Sequence, residues 1–247
     1  MTTLFTHGHR RQSGFTLIEL LIALAVFGIA VSAIYGVYIS QSRTYTVQNQ
    51  VTAAQQDLRA GIDLMSRELR MAGFNPLGKG GFGFANHTIA DDLSSTFVAF
   101  TADMKADGTN EDGDDISFEY IPGAGSAAGA LYFTVGDNTD SDSDGKIDAL
   151  ETAADGNTGE KKLMDNVDGF EIVYFLKGNA IPVPSPTPAQ IPTIQAVEIS
   201  ILVRTGHPDP QYVNTTTYTS LFGTPWGPFN DGYRRRLLTT IVKCRNL

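Results

Sequence analysis

The chain has 247 residues, of which 42% are hydrophobic, and this is enough for one sizeable folded core and an extension. Its net charge of −9 is unevenly distributed, because residues 91–160 hold 17 of the 27 acidic residues and two lysines, which gives that segment −15 and the rest of the chain +6. Such an acidic balance indicates cation binding or a solvated face, and it argues against nucleic acid as a partner, since phosphate contacts need clustered Lys or Arg. The single cysteine, Cys244, excludes an intramolecular disulfide.

The N-terminal part of the sequence has the charge pattern of a membrane-targeting segment. Arg10 and Arg11 precede an apolar run, residues 15–39, that contains one charge, Glu19. As a helix this run is roughly 37 Å long and can cross a hydrocarbon core of about 30 Å. The paired arginines predict that residues 1–14 stay in the cytoplasm and that the C-terminal part lies across the membrane.

Glu19 is unexpected inside a membrane span. An ionised carboxylate in mid-membrane costs about 2.5–3.5 kcal/mol on insertion scales, so its presence predicts a function. The alternative is a glutamate at the start of a helix near the interface, where the helix dipole stabilises it. If the chain is cut just before Phe15, Glu19 lies one helical turn from a new α-amino group, and its carboxylate could neutralise the amine of a neighbouring subunit.

The segment GFTLIELL, which contains Gly14, Phe15 and Glu19, resembles the class III signal of type IV prepilins and pseudopilins. In that family a prepilin peptidase cleaves after the glycine and methylates the new N-terminal phenylalanine. The resemblance implies cleavage between Gly14 and Phe15, N-methylation of Phe15 and an assembly role for Glu19, the fifth residue of the mature chain. It also implies other minor and major pilins and an inner-membrane assembly platform as partners.

Three small residues in the membrane segment, Gly28, Ser32 and Gly36, are spaced four apart. This small-xxx-small pattern suits close packing between helices. The alternative, that these are small residues without a packing role, is equally open from the sequence.

The helical pattern continues through residues 40–72. Apolar residues recur there at spacings of three and four from Val47 to Ala72, which predicts an amphipathic continuation of the membrane helix. Gly73 is placed to end the helix, and Pro76 follows.

After Gly73 the hydrophobic period changes to that of strands. Six segments rich in Val, Ile, Thr and aromatic residues are predicted as strands: 96–101, 115–121, 130–135, 170–177, 196–205 and 233–246. Strands without interleaved helices indicate an antiparallel sheet. The predicted fold class is therefore α+β, with a long N-terminal helix packed on a β-rich domain of residues 73–247.

Two long loops separate the later strands. Residues 179–192 contain five prolines and are predicted to form an extended surface loop. Residues 206–232 contain five aromatic residues: Tyr212, Tyr218, Phe222, Trp226 and Phe229. These side chains form a contact surface or, as the favoured alternative, fold back onto the protein and hold the loop in place.

Segments 55–76, 165–176 and 237–246 are similar to PilW-type minor pilins and more distantly to the GspJ-type pseudopilins of type II secretion. Typical major pilins are shorter and often have a C-terminal disulfide loop, which a chain with one cysteine cannot form. The resemblance therefore implies a minor pilin with the pilin fold.

The acidic run DSDSDGKIDALE, residues 140–151, matches the calcium-loop pattern D-x-[DN]-x-[DN]-G-x5-E. Hard oxygens at fixed spacing would surround the ion, with Gly145 making the sharp turn. The predicted ligands are Asp140, Asp142, Asp144, the backbone carbonyl of Lys146, Asp148 and Glu151. We expect one structural Ca²⁺ here. The alternative is a solvated acidic turn, because the segment before the loop is a predicted strand and not the helix of an EF-hand.

Catalytic motifs are missing from the sequence. Only His87 and His207 follow the leader, neither lies beside a nucleophile motif, and the chain has no P-loop, dinucleotide fingerprint or HExxH. We predict no enzymatic activity and no small-molecule substrate.

The expected function is a single-pass inner-membrane minor pilin that helps initiate or cap a type IV pilus, with its C-terminal domain in the periplasm before assembly. The alternatives are a pseudopilin for protein export, a tip adhesin or DNA-uptake module, and a calcium-dependent enzyme held by a pilin-like helix.

Overall fold

The computed structural model describes residues 14–79, 81–84, 93–110, 114–135 and 160–247. Its residues form two compact units, one that ends at Gln48 and one that runs from Asn49 to Leu247. The boundary between the units falls inside the amphipathic segment predicted for residues 40–72.

One helix, α1 (Leu17–Met71), contributes to both units. It begins two residues after the predicted start and ends one residue before the predicted end. Within the described part of the chain, α1 alone is long and apolar enough to cross a membrane. Its apolar first half is exposed in the structure, which is what a membrane or filament segment requires.

Gly73 ends the helix, as predicted. It has a φ of +77°, which glycine adopts without strain, and its N–H donates to the carbonyl oxygen of Thr101 at 3.0 Å. A side chain at this position would also collide with the C-terminal residues, because an added Cβ would lie 2.6 Å from Cδ2 of Leu247 and 2.8 Å from the carbonyl oxygen of Asn246. The conformation and the close approach both require glycine.

The strands of the described residues form one six-stranded antiparallel sheet and one small hairpin. The sheet strands are β1 (Phe97–Thr101), β2 (Asp115–Ile121), β3 (Gly129–Val135), β4 (Glu160–Leu176), β5 (Ile194–Arg204) and β8 (Arg235–Lys243). They are hydrogen-bonded in the order β1-β2-β3-β4-β5-β8. The hairpin consists of β6 (Tyr218–Thr219) and β7 (Pro225–Trp226). A short 3-10 helix, Ile191–Thr193, precedes β5. The α+β fold is confirmed.

All six predicted strands are present, with two corrections. β4 begins at Glu160 and not at residue 170, because its polar first part pairs with β3 through register shifts that a periodicity pattern does not reveal. The segment 206–232 is not a plain loop, since it contains the β6–β7 hairpin. The proline-rich segment 179–192 is irregular up to the 3-10 helix that begins at Ile191, and its Val183 forms an isolated bridge to Tyr174 in β4.

The core lies between the second half of α1 and one face of the sheet. The helix contributes the apolar stripe predicted from its spacing: Leu58, Ile62, Met65 and Leu69, with Ala72 just beyond its end. The sheet contributes side chains such as Phe100, Phe118, Ile172, Tyr174, Ile199 and Ile201. The buried hydroxyl of Tyr174 is satisfied, because it donates to the carbonyl oxygens of Ser94 and Phe97 at 3.2 and 3.1 Å.

The β6–β7 hairpin packs on part of the opposite face of the sheet. Phe170 and Ile172 in β4 face the core. Successive side chains of a strand point to opposite faces of the sheet, so Gly169 and Glu171 face away from α1. Trp226 packs against Gly169, where an added Cβ would lie 2.6 Å from the indole ring. The hydroxyl of Thr224 donates to Glu171. Glycine at position 169 therefore makes room for the tryptophan that docks the hairpin.

Candidate functional site

The first turn of α1 is closed by a reciprocal pair of residues, Thr16 and Glu19. The N–H and the hydroxyl of Thr16 both donate to Oε2 of Glu19 at 2.9 Å. In return, the N–H of Glu19 donates to the hydroxyl oxygen of Thr16 at 3.3 Å. This is a capping box, which satisfies N–H groups that the helix start leaves without intrahelical partners. The capping box was not among the predictions from the sequence, although the T-x-x-E spacing of TLIE is the signal that predicts such a box.

The predicted cleavage point lies just outside the helix. Gly14 and Phe15 precede the first helical residue, Leu17, and Phe15 is 93% exposed. Both partners of the capping box lie on the C-terminal side of the Gly14–Phe15 bond. Cleavage at this bond would therefore leave the box intact and place a new amine one residue before Thr16.

The small-residue face of the membrane segment has no neighbour among the described residues. A Cβ added at Gly28 or Gly36 would meet nothing within 4 Å, and Ser32 lies on the same exposed stretch of α1. The face is available to another helix, and its packing role stays a prediction.

The predicted calcium loop, residues 140–151, lies outside the described residues, as does His87. Within the described ranges, no group of three or more His, Cys, Asp or Glu side chains is arranged to hold a metal ion. The calcium ligands therefore remain a prediction from the sequence.

The aromatic residues of segment 206–232 mostly fold back onto the protein, as the favoured alternative predicted. The guanidinium of Arg234 lies 4.3 Å above the centre of the Tyr212 ring, and that of Arg235 lies 3.7 Å above Phe229. Trp226 packs on Gly169, and the hydroxyl of Tyr218 accepts a hydrogen bond from Asn214 at 3.2 Å. Phe222 is the exception, because it lies 39% exposed beside Leu221, which is 63% exposed, at the turn of the hairpin.

A buried ion network holds the end of this segment to the sheet. The side chain of Arg235, at the start of β8, is fully buried. Its Nε donates to Asp168 at 2.6 Å, and its Nη1 and Nη2 donate to the two oxygens of Asp231 at 2.6 and 2.7 Å. A second arginine, Arg204, lies 3.5 Å from Asp168.

The electrostatics of this network follow from burial and pairing. Hydrogen bonds from Arg235 lower the pKa of Asp231. Burial raises the pKa of Asp168, and the charges of Arg235 and Arg204 offset part of that rise. The arrangement fixes the geometry of the segment that leads into β8.

Comparisons with known proteins identify two regions of the chain. The family model described as the prokaryotic N-terminal methylation motif matches residues 9–35, which include Gly14, Phe15 and Glu19. The model described as type IV pilus-assembly protein W matches residues 132–246, which include β4, β5, the hairpin and β8.

Among solved structures, a type IV-like pilin from Thermus thermophilus is similar to this chain. It has 16% sequence identity and a TM-score of 0.44, and the match covers 78% of this chain and 97% of that one. No curated protein gives a match. The methylation motif and the PilW domain together support the assignment of this chain to the type IV minor pilins.

Proposed function

We propose that this protein is a minor pilin that helps to initiate or cap a type IV pilus. The observation that carries the proposal is the joining of a prepilin methylation motif at residues 9–35 to a PilW-type domain at residues 132–246. A prepilin peptidase cleaves between Gly14 and Phe15 and methylates Phe15. The exposed, non-helical position of this bond supports access by the peptidase.

Before assembly, the apolar half of α1 anchors the protein in the inner membrane. Residues 1–14 lie in the cytoplasm, where Arg10 and Arg11 hold them, and the sheet domain lies in the periplasm. The membrane anchor then becomes the packing helix of a filament. Gly28, Ser32 and Gly36 supply a face on which a neighbouring helix can approach closely.

Glu19 serves two purposes in this proposal. Both donors from Thr16 bond to Oε2, and no hydrogen bond from the described residues goes to Oε1. The side chain can therefore cap its own helix through one oxygen and accept the methylated amine of a neighbouring subunit through the other. In a low-dielectric environment such a charge pair offsets the cost of burying a carboxylate.

A structural Ca²⁺ in the loop of residues 140–151 is part of the proposal. The support is the complete spacing of the predicted ligands, from Asp140 to Glu151, within the most acidic segment of the chain. The ion would fasten the connection between β3 and β4 in a protein that has no disulfide.

A second candidate function is that of a binding module at the pilus tip. The observation that favours it is the pair of exposed apolar side chains at the hairpin turn, Leu221 and Phe222. Leu221→Ser with Phe222→Ser would then abolish adhesion or DNA uptake without reducing the number of pili. A pseudopilin of a type II secretion system is the remaining alternative, and it would share the processing and the anchor.

The experiment that separates these functions is deletion of the gene and complementation with the wild-type chain. We expect the deletion strain to lose surface pili in electron micrographs, to regain them on complementation, and to secrete type II substrates normally. Normal piliation together with a loss of secretion would contradict the pilus role and support the pseudopilin.

A further inference from the structure

Two glutamates are buried side by side on the face of the sheet that the β6–β7 hairpin covers. Glu171 in β4 is 7% exposed and Glu198 in β5 is 4% exposed. In the strand register Glu171 lies opposite Ser200, and Glu198 lies opposite Val173. The two glutamates are therefore diagonal neighbours on one face, a spacing that long side chains can bridge.

Few groups compensate these carboxylates. Oε1 of Glu171 accepts the hydroxyl of Thr224, whereas Oε2 of Glu171 and Oε1 of Glu198 are buried without a hydrogen-bond partner among the described residues. The hydroxyl of Ser200 hydrogen-bonds Glu198.

No salt bridge joins either glutamate to a cation among the described residues. On β8 the residue opposite Glu198 is Ile241, and the one charged neighbour along that register is the exposed Lys243, opposite Ala196. Arg204 and Arg235, farther along the sheet, hold Asp168. The hairpin strands β6 and β7 contribute one titratable group, the hydroxyl of Tyr218.

Two unpaired carboxylates at this depth cannot both carry charge without a large penalty, because each loses its hydration and each repels the other. Burial and the charge of Glu171 raise the pKa of Glu198, and the hydrogen bond from Ser200 offsets part of the rise. Glu198 therefore holds its proton at a pH at which an exposed glutamate is already ionised.

We propose that the Glu171–Glu198 pair is a pH-sensitive latch that holds the β6–β7 hairpin on the sheet. With one proton on the pair, Glu171 accepts the Thr224 hydroxyl and the hairpin stays docked. Loss of that proton places two charges beneath the hairpin, and the hairpin separates from the sheet so that water can reach them.

The direction of the effect follows from linkage. The folded-state pKa of Glu198 lies above its ordinary value of 4.5, so the docking that it supports is fully present below that value. Docking weakens as the pH rises through the raised pKa. The hairpin that carries Leu221 and Phe222 is therefore held in acid and released as the pH rises through the raised pKa of Glu198.

The chain contains a built-in reporter for this movement. Trp226 is its one tryptophan, and its ring packs on Gly169 in the docked hairpin. Release of the hairpin would move the ring from the sheet surface into water and shift its fluorescence emission to longer wavelength.

The test is tryptophan emission of the full-length protein in detergent micelles between about pH 4 and pH 9. We expect a reversible red shift as the pH rises, with an unchanged far-ultraviolet circular dichroism spectrum. Glu198→Gln removes the titrating group, so its emission should stay at the short-wavelength value throughout. Asp209→Asn removes a carboxylate of the same segment that lies outside the pair, and it should keep the wild-type transition.

Three results would overturn the proposal. The first is wild-type emission that does not change with pH, and the second is a transition that Glu198→Gln retains. The third is a transition that appears only when Ca²⁺ is removed, because the two carboxylates would then be ligands of a bound cation and not a proton-sharing pair. If Glu198→Gln fails to fold, ¹³C NMR of the wild-type protein with labelled glutamate carboxyls decides the matter. The carboxyl carbon of Glu198 must then titrate above the usual glutamate pKa, and an unshifted titration contradicts the latch.

Discussion

Oε2 of Glu19 accepts both the N–H and the hydroxyl of Thr16, each at 2.9 Å, at the first turn of α1. The single carboxylate of the apolar segment is thus part of the helix start, and its other oxygen receives no hydrogen bond from the described residues. The proposed assembly role and the capping role can be separated by substitution, because glutamine also completes a capping box but carries no charge.

Glu19→Gln and Glu19→Ala should both insert into the membrane at least as well as the wild-type chain, since each removes a costly charge. Both should fail to enter pili, because neither can neutralise the amine of a neighbouring subunit. The measurement is the amount of each variant in sheared pili from a strain that lacks the wild-type copy. Normal piliation with Glu19→Gln would show that capping, and not charge, is what assembly needs.

Thr16→Val is the matched control, because it removes the capping hydroxyl and keeps the Glu19 charge. Loss of a capping side chain costs about 0.5–2 kcal/mol of helix stability. This variant should enter pili in reduced amounts, but it should not be excluded from them.

Arg235→Met should destabilise the sheet domain by about 3–5 kcal/mol, because it leaves Asp168 and Asp231 without the buried cation between them. Arg234→Met is the control, since Arg234 is 40% exposed and pairs with Asp209 at the surface. Such a pair contributes up to about 1 kcal/mol. Urea unfolding of the two variants measures both values, and equal losses would contradict the assignment of the buried network as the anchor.

Cys244 should be unreactive in the native protein. It is 5% exposed, and burial raises the pKa of its thiol to about 12. At pH 8 roughly one molecule in ten thousand would carry the reactive thiolate. A thiol reagent should label it only after denaturation, whereas a cysteine introduced at the exposed Ser126 should react at once. Native labelling of Cys244 at the rate of the Ser126→Cys thiol would show that the C-terminal strand opens freely.

The spacing of apolar residues along the sequence predicted the helix, the strands and the buried face of the helix. The change of period after Gly73 separated α1 from the strands, and the spacing of Leu58, Ile62, Met65 and Leu69 identified the buried face of the helix. These positions were predictable because helices and strands repeat their apolar residues at different intervals. The capping box of Thr16 and Glu19 was also within reach of the sequence, since it depends on residues three apart.

Contacts between distant segments were not predictable in this way. The Asp168–Arg235 pair joins residues 67 positions apart, and Trp226 rests on a glycine in another strand. The early start of β4 depends on register shifts against β3, which polar residues such as Lys161 and Lys162 do not signal. Sequence spacing identifies surfaces that must be buried, but it does not say which distant side chain buries them.

Calcium should raise the melting temperature of the full-length protein relative to a chelator. A loop that binds at roughly 10⁻⁴–10⁻³ M gives about 1 kcal/mol at millimolar calcium. Asp140→Ala and Glu151→Ala should abolish the difference, and Asp112→Ala, which lies outside the predicted ligand pattern, should keep it. No heat in a calorimetric titration at several millimolar calcium would leave the loop as a solvated acidic turn.

The most direct test of the pilin assignment is mass spectrometry of the mature N-terminus, on protein from cells that have an active prepilin peptidase. We predict an N-terminal peptide that begins at Phe15 and carries one methyl group on its α-amino nitrogen, which leaves 233 of the 247 residues after the 14-residue leader is removed. The same peptide should be missing from a strain without the peptidase. An intact leader in the cells with active peptidase, or a cut beyond Ile39, would contradict the account.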